Sequence, residues 1–137
     1  MCVELAQKIV LLNQAQKQRC IIVENDMELR TPLEGVFRDL GFEVFGTDNG
    51  KHAVLMQYHE PFDLLILHWN NKELQGEKVM AAMVLLCDKL PKVIVMSGQE
   101  VISFHFPIPV SAFLFKPFGS DRVIKAVWTA LEEKEHA

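Results

Sequence analysis

The chain has 137 residues, half of them hydrophobic and 23% charged, with a formal net charge of -4. This length suits one domain with a real hydrophobic core, and this composition excludes a disordered chain. The mild acidity argues against direct binding to nucleic acid, and no apolar run reaches the roughly 18 residues that a membrane-spanning helix needs. We therefore expect a globular protein that neither spans a membrane nor contacts nucleic acid directly.

The cysteines and the first residues bear on the compartment. Cys2, Cys20 and Cys87 are far apart in the sequence and form no CxxC pair. This usage indicates free thiols in a reducing environment. The first residues lack the basic start of a signal peptide. We predict a cytoplasmic protein.

Residues 1–18 are predicted to form a helical extension that precedes a domain over residues 19–137. Leu5, Ile9 and Leu12 fall at helical spacing and mark one face of the helix. Two interpretations remain open at this point. The helix either packs on its own domain or pairs with a second copy or a partner protein.

Strand and helix patterns then alternate along the chain. Amphipathic patterns predict a helix capped by Asp26 and ended by Gly41, a short helix around residues 53–57, a helix around 79–87, and a last helix capped by Ser120 or Asp121. Residues 101–105 can hold at most a short helix. Apolar runs predict strands at residues 20–23, 42–45, 63–68, 91–96 and 112–115. This alternation predicts an α/β fold with a parallel sheet and helices on both faces.

Polar side chains follow four of these strands where each strand ends. They are Glu24 with Asn25, then His68, Ser97 and Lys116. In an open parallel sheet, ligands bind just beyond the carboxyl ends of the strands. These residues are therefore the candidate functional site, and His68 follows the most central of the apolar runs.

Several motifs together resemble the receiver domain of bacterial response regulators. They are IIVENDMELR at 21–30, LGFEV at 40–44, DNGKHA at 48–53 and FKPF at 115–118. The resemblance covers residues 20–135. It implies a flavodoxin-like (βα)5 three-layer sandwich with a central five-stranded parallel sheet, here with an extra N-terminal helix. It also implies a role in two-component signal transduction.

The resemblance implies a phosphorylation pocket at the strand ends. In the family, an acidic pair after the first strand holds Mg²⁺, and an aspartate at the end of the third strand accepts a phosphoryl group from a histidine kinase. A hydroxyl after the fourth strand and a lysine after the fifth bind the phosphoryl oxygens. The matching positions here are Glu24 and Asn25 for the acidic pair, His68 for the acceptor, Ser97 for the hydroxyl and Lys116 for the lysine.

This chain departs from the family pattern within that pocket. An imidazole, His68, replaces the acceptor carboxylate, Asn25 is neutral, and Glu24 is one methylene longer than aspartate. Phe113 occupies the aromatic switch position and has no hydroxyl. Because Mg²⁺ prefers hard oxygen ligands in tight geometry, these losses should weaken its binding severely, and we predict no bound metal and no cofactor. No carboxylate occupies the acceptor position, so we also predict no aspartyl-phosphate, and we expect no enzymatic activity. The expected function is that of a pseudo-receiver acting through protein contacts, with a degenerate pocket that also includes Asp26.

Each retained residue also has a structural interpretation. Lys116 can simply pair with Glu24 or Asp26, and Ser97 can bond to local backbone. His68 has three interpretations, in falling order of preference. It is a neutral histidine satisfied by a neighbour, a protonation switch beside Glu24 or Asp26, or a site of phosphohistidine or metal chemistry.

The expected partners are signalling proteins: a sensor kinase, a phosphotransfer protein or an output regulator. The alternatives are a phosphorelay protein in which His68 carries the phosphoryl group and a receiver-like partner of a transcription regulator. A homodimer could use residues 1–18, or the segment from Phe104 to Pro109 with the C-terminal helix. Phe104, Phe106 and Ile108 either form an exposed apolar partner site or fold back over the sheet edge.

Overall fold

A computed structural model describes residues 2–69, 76–98 and 106–133 of the chain. The described part contains five helices and five strands. In chain order these are α1 (Cys2–Ala15), β1 (Arg19–Val23), α2 (Met27–Asp39), β2 (Glu43–Thr47), α3 (Gly50–His59), β3 (Leu64–His68), α4 (Gly76–Leu86), β4 (Lys92–Ser97), β5 (Val110–Phe115) and α5 (Ser120–Glu132).

The five strands form one parallel sheet in the order β2-β1-β3-β4-β5. This confirms the predicted flavodoxin-like α/β fold, in which β3 lies at the centre between β1 and β4. The strand boundaries differ from the predictions by one or two residues at several ends. The short helix considered for residues 101–105 lies outside the described residues.

The core consists of two apolar layers, one on each face of the sheet. Alternate strand residues point to opposite faces, so Ile22 and Ile66 pack in one layer while Ile21 and Leu65 pack in the other. Helices α1, α2 and α5 contribute to the first layer, and α3 and α4 contribute to the second. Because β1, β3 and β4 are covered on both faces, their sequences are nearly continuous apolar runs.

Helix α1 packs on its own domain, against α5, through a face that differs from the predicted one. Ile9 is fully buried, as its spacing suggested, but Leu12 is 45% exposed. The buried residue of the next turn is Asn13. Its Nδ2 donates to the carbonyl of Leu40 at 2.9 Å, and its Oδ1 accepts from the amide of Gln18 at 3.1 Å. Both bonds satisfy a polar side chain that spacing alone would leave outside the core.

Two local predictions are resolved near the end of the chain. The N-cap of α5 is Gly119, not Ser120 or Asp121, and it makes no side-chain cap hydrogen bond. Ser120 is already the first helical residue, so its hydroxyl is past the capping position.

Ile108 is buried and Phe106 is partly buried, so these two residues fold back onto the domain. Phe104 lies outside the described residues.

Candidate functional site

The register of the central strands brings Glu24 next to His68. Val23 of β1 pairs with Leu67 of β3, so the residues that follow them lie side by side at the carboxyl edge of the sheet. Residues that lie side by side in register on neighbouring strands present their side chains to the same face of the sheet, so Glu24 and His68 point the same way. Lys116 follows β5 at the same edge, and its amide donates to the carbonyl of Ser97 at 2.8 Å.

Glu24, His68 and Lys116 form a compact polar cluster, which we call the triad. The side chain of Glu24 is fully buried. Its Oε1 accepts a hydrogen bond from Nζ of Lys116 at 3.0 Å, and its Oε2 contacts Nδ1 of His68. Because an ionised carboxylate oxygen can only accept, this contact is a hydrogen bond in the tautomer whose Nδ1 carries the proton. Nζ of Lys116 lies 3.5 Å from the same Nδ1.

The charges of the triad hold Glu24 in its ionised form. Burial by itself would raise the pKa of this carboxyl, because a charged group loses its hydration. The hydrogen bonds and the electrostatic interactions that His68 and Lys116 make with Glu24 outweigh burial and lower the pKa of this carboxyl below its usual value. The buried carboxylate is therefore charged at neutral pH, and both of its oxygens are engaged.

The backbone of Glu24 is also fixed on both sides. Its amide donates to the carbonyl of Thr47 at 3.0 Å, and its carbonyl accepts from Nη1 of Arg30 at 2.6 Å. Arg30 also pairs with Glu34 at 3.5 Å along α2. Sequence reasoning missed Arg30 as a site residue. Its only signal was its place in the first turns of the helix that leaves the strand end.

Asn25 and Asp26, the other candidates of this turn, are exposed. Oδ1 of Asp26 accepts from the amide of Glu28 at 3.0 Å and caps α2, as predicted. Of the two partners considered for Lys116, the structure therefore places Glu24 in contact. Ser97 is buried at the end of β4.

Phe113, at the aromatic switch position, belongs to a row of aromatic rings beside the pocket. The ring of Phe106 lies 4.7 Å from that of Trp69 and 5.7 Å from that of Phe113, measured between centroids. Phe113 in turn stacks on Phe115 at 6.0 Å. Phe113 remains partly exposed, so this row continues from the buried Trp69 to the surface of β5.

The described residues at this edge do not fit a divalent cation. The part of the chain that the structure describes holds no group of three His, Cys, Asp or Glu side chains able to bind a metal ion. Lys116 and His68 occupy the carboxylate oxygens of Glu24, and the Asp26 carboxylate caps a helix. An ammonium group thus lies against the carboxylate that a metal would need.

The family model for the response regulator receiver domain matches residues 20–128, which is most of the chain. The chain belongs to the response regulator receiver domain family. This membership assigns it to two-component signal transduction, in which receiver domains interact with kinases and output domains. Helix α1 precedes the matched residues.

Two relatives are similar in sequence. The chain is 28% identical over 113 residues to the chemotaxis protein CheY of Listeria monocytogenes, a match that covers 80% of this chain and 94% of CheY. It is 24% identical over 123 residues to the cell cycle transcriptional regulator CtrA of Caulobacter vibrioides, covering 87% of this chain and 53% of CtrA. The chain thus spans nearly all of the first protein and about half of the second.

A solved structure supports the fold. The signal receiver domain of a response regulator from Bermanella marisrubri superposes with a TM-score of 0.70 at 19% identity, covering 85% of this chain and 100% of that domain. Within the described residues, no helix is long and apolar enough to cross a bilayer.

Proposed function

We propose that this receiver domain is a pseudo-receiver, which signals through protein contacts and without aspartyl phosphorylation. The observation that carries this proposal is the fully buried Glu24, whose two carboxylate oxygens are occupied by His68 and Lys116. The residue at the acceptor position is an imidazole, so no carboxylate is available there to form an acyl phosphate.

The positive charge that phosphoryl transfer would need from Lys116 is already used within the triad to neutralise Glu24. Phosphoryl transfer depends on cations that neutralise the developing charge on the phosphate oxygens. Here the ammonium of Lys116 is committed to Glu24 at 3.0 Å. Recruiting it to a phosphate would leave a buried carboxylate with one partner fewer, which costs free energy.

The loss of the acceptor removes the covalent event that shifts an ordinary receiver between two states. The domain is then held in one state or shifted by binding. The partner is a sensor kinase, a phosphotransfer protein or an output regulator, in a cytoplasmic setting. The similarity to CtrA, which its name describes as a transcriptional regulator, is compatible with an output regulator.

The test is the intact mass of the protein after incubation with acetyl phosphate and Mg²⁺. Wild type, His68→Ala and His68→Asp are compared under the same conditions. We expect no added phosphoryl group on wild type or on His68→Ala. A phosphoryl group on His68→Asp alone would also support the proposal, because it would show that the residue at this one position prevents phosphorylation of the wild type.

A phosphoryl adduct on the wild type that is absent from His68→Ala would overturn the proposal. If that adduct is also acid-labile and base-stable, the chain is instead a phosphorelay protein in which His68 carries the phosphoryl group. Circular dichroism of each variant ensures that a missing label does not reflect unfolding.

A further inference from the structure

An ion pair of α2 lies across the edge strand β2. Arg30 and Glu34 are one helical turn apart, and Nε of Arg30 lies 3.5 Å from Oε1 of Glu34. Their side chains are only 15% and 17% exposed. A Cβ added at Gly46 of β2 would overlap Oε1 of Glu34 and lie 3.3 Å from Cδ of Arg30. The ion pair therefore occupies the space that a side chain at position 46 would need.

The other end of the Arg30 guanidinium reaches the candidate site. Its Nη1 donates to the carbonyl oxygen of Glu24 at 2.6 Å. A guanidinium is planar, so the position of Nε against Glu34 also sets the direction of Nη1. The second oxygen of Glu34, Oε2, lies 3.6 Å from Nη2 of Arg38, which restricts the carboxylate further. Glu34 thus orients Arg30, and Arg30 holds the backbone of Glu24.

We infer that Arg30 is a positioning residue of the triad, which holds the backbone of Glu24 where the Glu24 carboxylate meets both of its partners. Strand β2 contributes two neighbouring residues to this arrangement. Gly46 leaves room for the ion pair, and the carbonyl of Thr47 accepts from the amide of Glu24 at 3.0 Å. The peptide groups on both sides of the Glu24 Cα are therefore fixed, which restricts the direction of its buried side chain.

The triad is sensitive to such positioning because the Glu24 side chain is fully buried. Hydrogen bonds and electrostatic contacts are stronger in a medium of low dielectric constant than in water, and both weaken as the partners separate. A displacement of the Glu24 backbone would therefore weaken its contacts with His68 and Lys116 together. This inference goes beyond the proposed function, because it concerns how the triad is held and not whether the domain is phosphorylated.

Gly46→Ala tests the inference without changing any charge. The added methyl group displaces the Glu34 carboxylate and with it Arg30, so the contacts of Glu24 should loosen. We expect the pKa of Glu24, followed by carbon NMR of its carboxyl, to rise towards 4.5 by about 0.5 or more. We also expect a smaller share of neutral His68 to carry its proton on Nδ1, which the NMR shifts of the imidazole nitrogens measure.

Gly35→Ala is the matched control, because it adds the same methyl group to α2, next to Glu34, where no atom lies within 4 Å. It should leave the pKa of Glu24 and the tautomer of His68 as they are in the wild type. A folded Gly46→Ala protein in which both quantities match those of the wild type would overturn the inference. A change of equal size in Gly35→Ala would overturn it as well, because the effect would not depend on the ion pair.

Arg30→Gln provides a second test that does not depend on Gly46, with Arg38→Gln as its control. Both variants remove one positive charge from α2 and one ion pair with Glu34, but the structure places Arg30, and not Arg38, against the Glu24 carbonyl. We expect Arg30→Gln to raise the pKa of Glu24 more than the control does. Equal effects in the two variants would show that charge and not position is responsible, and would overturn the inference. Circular dichroism verifies that each variant is folded.

Discussion

The ammonium nitrogen of Lys116 lies 3.0 Å from Oε1 of Glu24, although 92 positions separate the two residues in the chain. Strands β3 and β4 stand between β1, which ends before Glu24, and β5, which ends before Lys116. Neighbouring strands are about 4.8 Å apart, so a long side chain is needed to reach across them. The contact therefore joins the carboxyl ends of the edge strand β5 and the interior strand β1.

Lys116→Met is expected to lower the free energy of unfolding by about 1–3 kcal/mol, the range for removing one hydrogen-bond partner of a buried polar group. The substitution keeps the aliphatic stem but leaves the buried carboxylate of Glu24 with His68 as its remaining side-chain partner. The lower bound reflects solvent screening, because the Lys116 side chain is 26% exposed. Urea unfolding followed by circular dichroism measures the change. The control is Lys125→Met, which changes an exposed lysine on α5 and should alter the free energy of unfolding by less than about 0.5 kcal/mol. An equal loss of stability in the two variants would contradict the prediction.

The wild type is expected to lose part of its stability in acid through Glu24. The pKa of this carboxyl is lower in the folded state than in the unfolded chain, where it stays near the usual 4.5. The contribution is therefore fully present above about pH 4.5 and is lost as the pH falls through the folded-state pKa. Glu24→Gln removes this contribution while keeping the shape. We expect the difference in unfolding free energy between wild type and Glu24→Gln to be large at neutral pH and to become smaller below about pH 4.5. Urea unfolding midpoints of both proteins at several pH values measure this difference. A difference that does not change with pH would refute the prediction.

Strand patterns predicted which residues form the candidate site, but they did not predict which of these residues contact one another. Apolar runs that end in polar residues placed Glu24, His68 and Lys116 at one edge of a parallel sheet. The partner of Lys116 stayed open between Glu24 and Asp26, because these residues are close in sequence and both follow the strand. Lys116 contacts Glu24 because the pleat of the strand turns the Glu24 side chain inward. The Asp26 carboxylate instead accepts a hydrogen bond that caps α2.

The fold followed from alternating strand and helix patterns, whereas the packing of α1 did not. Apolar spacing favoured Leu12 for the buried face, and the structure buries Asn13 instead. A polar residue in such a pattern is predicted to be exposed, because the pattern contains no information about a hydrogen-bond partner that is distant in the chain. Here that partner is the carbonyl of Leu40 at the C-terminal end of α2.

Asn13→Ala is expected to lower the free energy of unfolding by about 1–3 kcal/mol. The substitution leaves the carbonyl of Leu40 and the amide of Gln18 without this side-chain partner. Gln14→Ala changes the exposed neighbour in the same helix and should alter stability by less than about 0.5 kcal/mol. Thermal and urea unfolding of the two variants distinguish the buried from the exposed amide. A loss of equal size in both would mean that the effect comes from the helix and not from the buried contact.

Gly41→Ala and Gly35→Ala should change stability in opposite directions. Gly41 follows α2 with φ at +94°, and a Cβ there would lie 2.9 Å from Cβ of Asn13, so both the backbone and the packing oppose a side chain. We expect a loss of about 1 kcal/mol or more. Gly35 lies inside α2, and an added Cβ would meet no atom within 4 Å. Alanine there should gain about 0.5–1 kcal/mol, because it restricts the unfolded chain and favours the helix. Urea unfolding of both variants provides the comparison, and a gain at Gly41 would show that α1 and the end of α2 do not pack closely in solution.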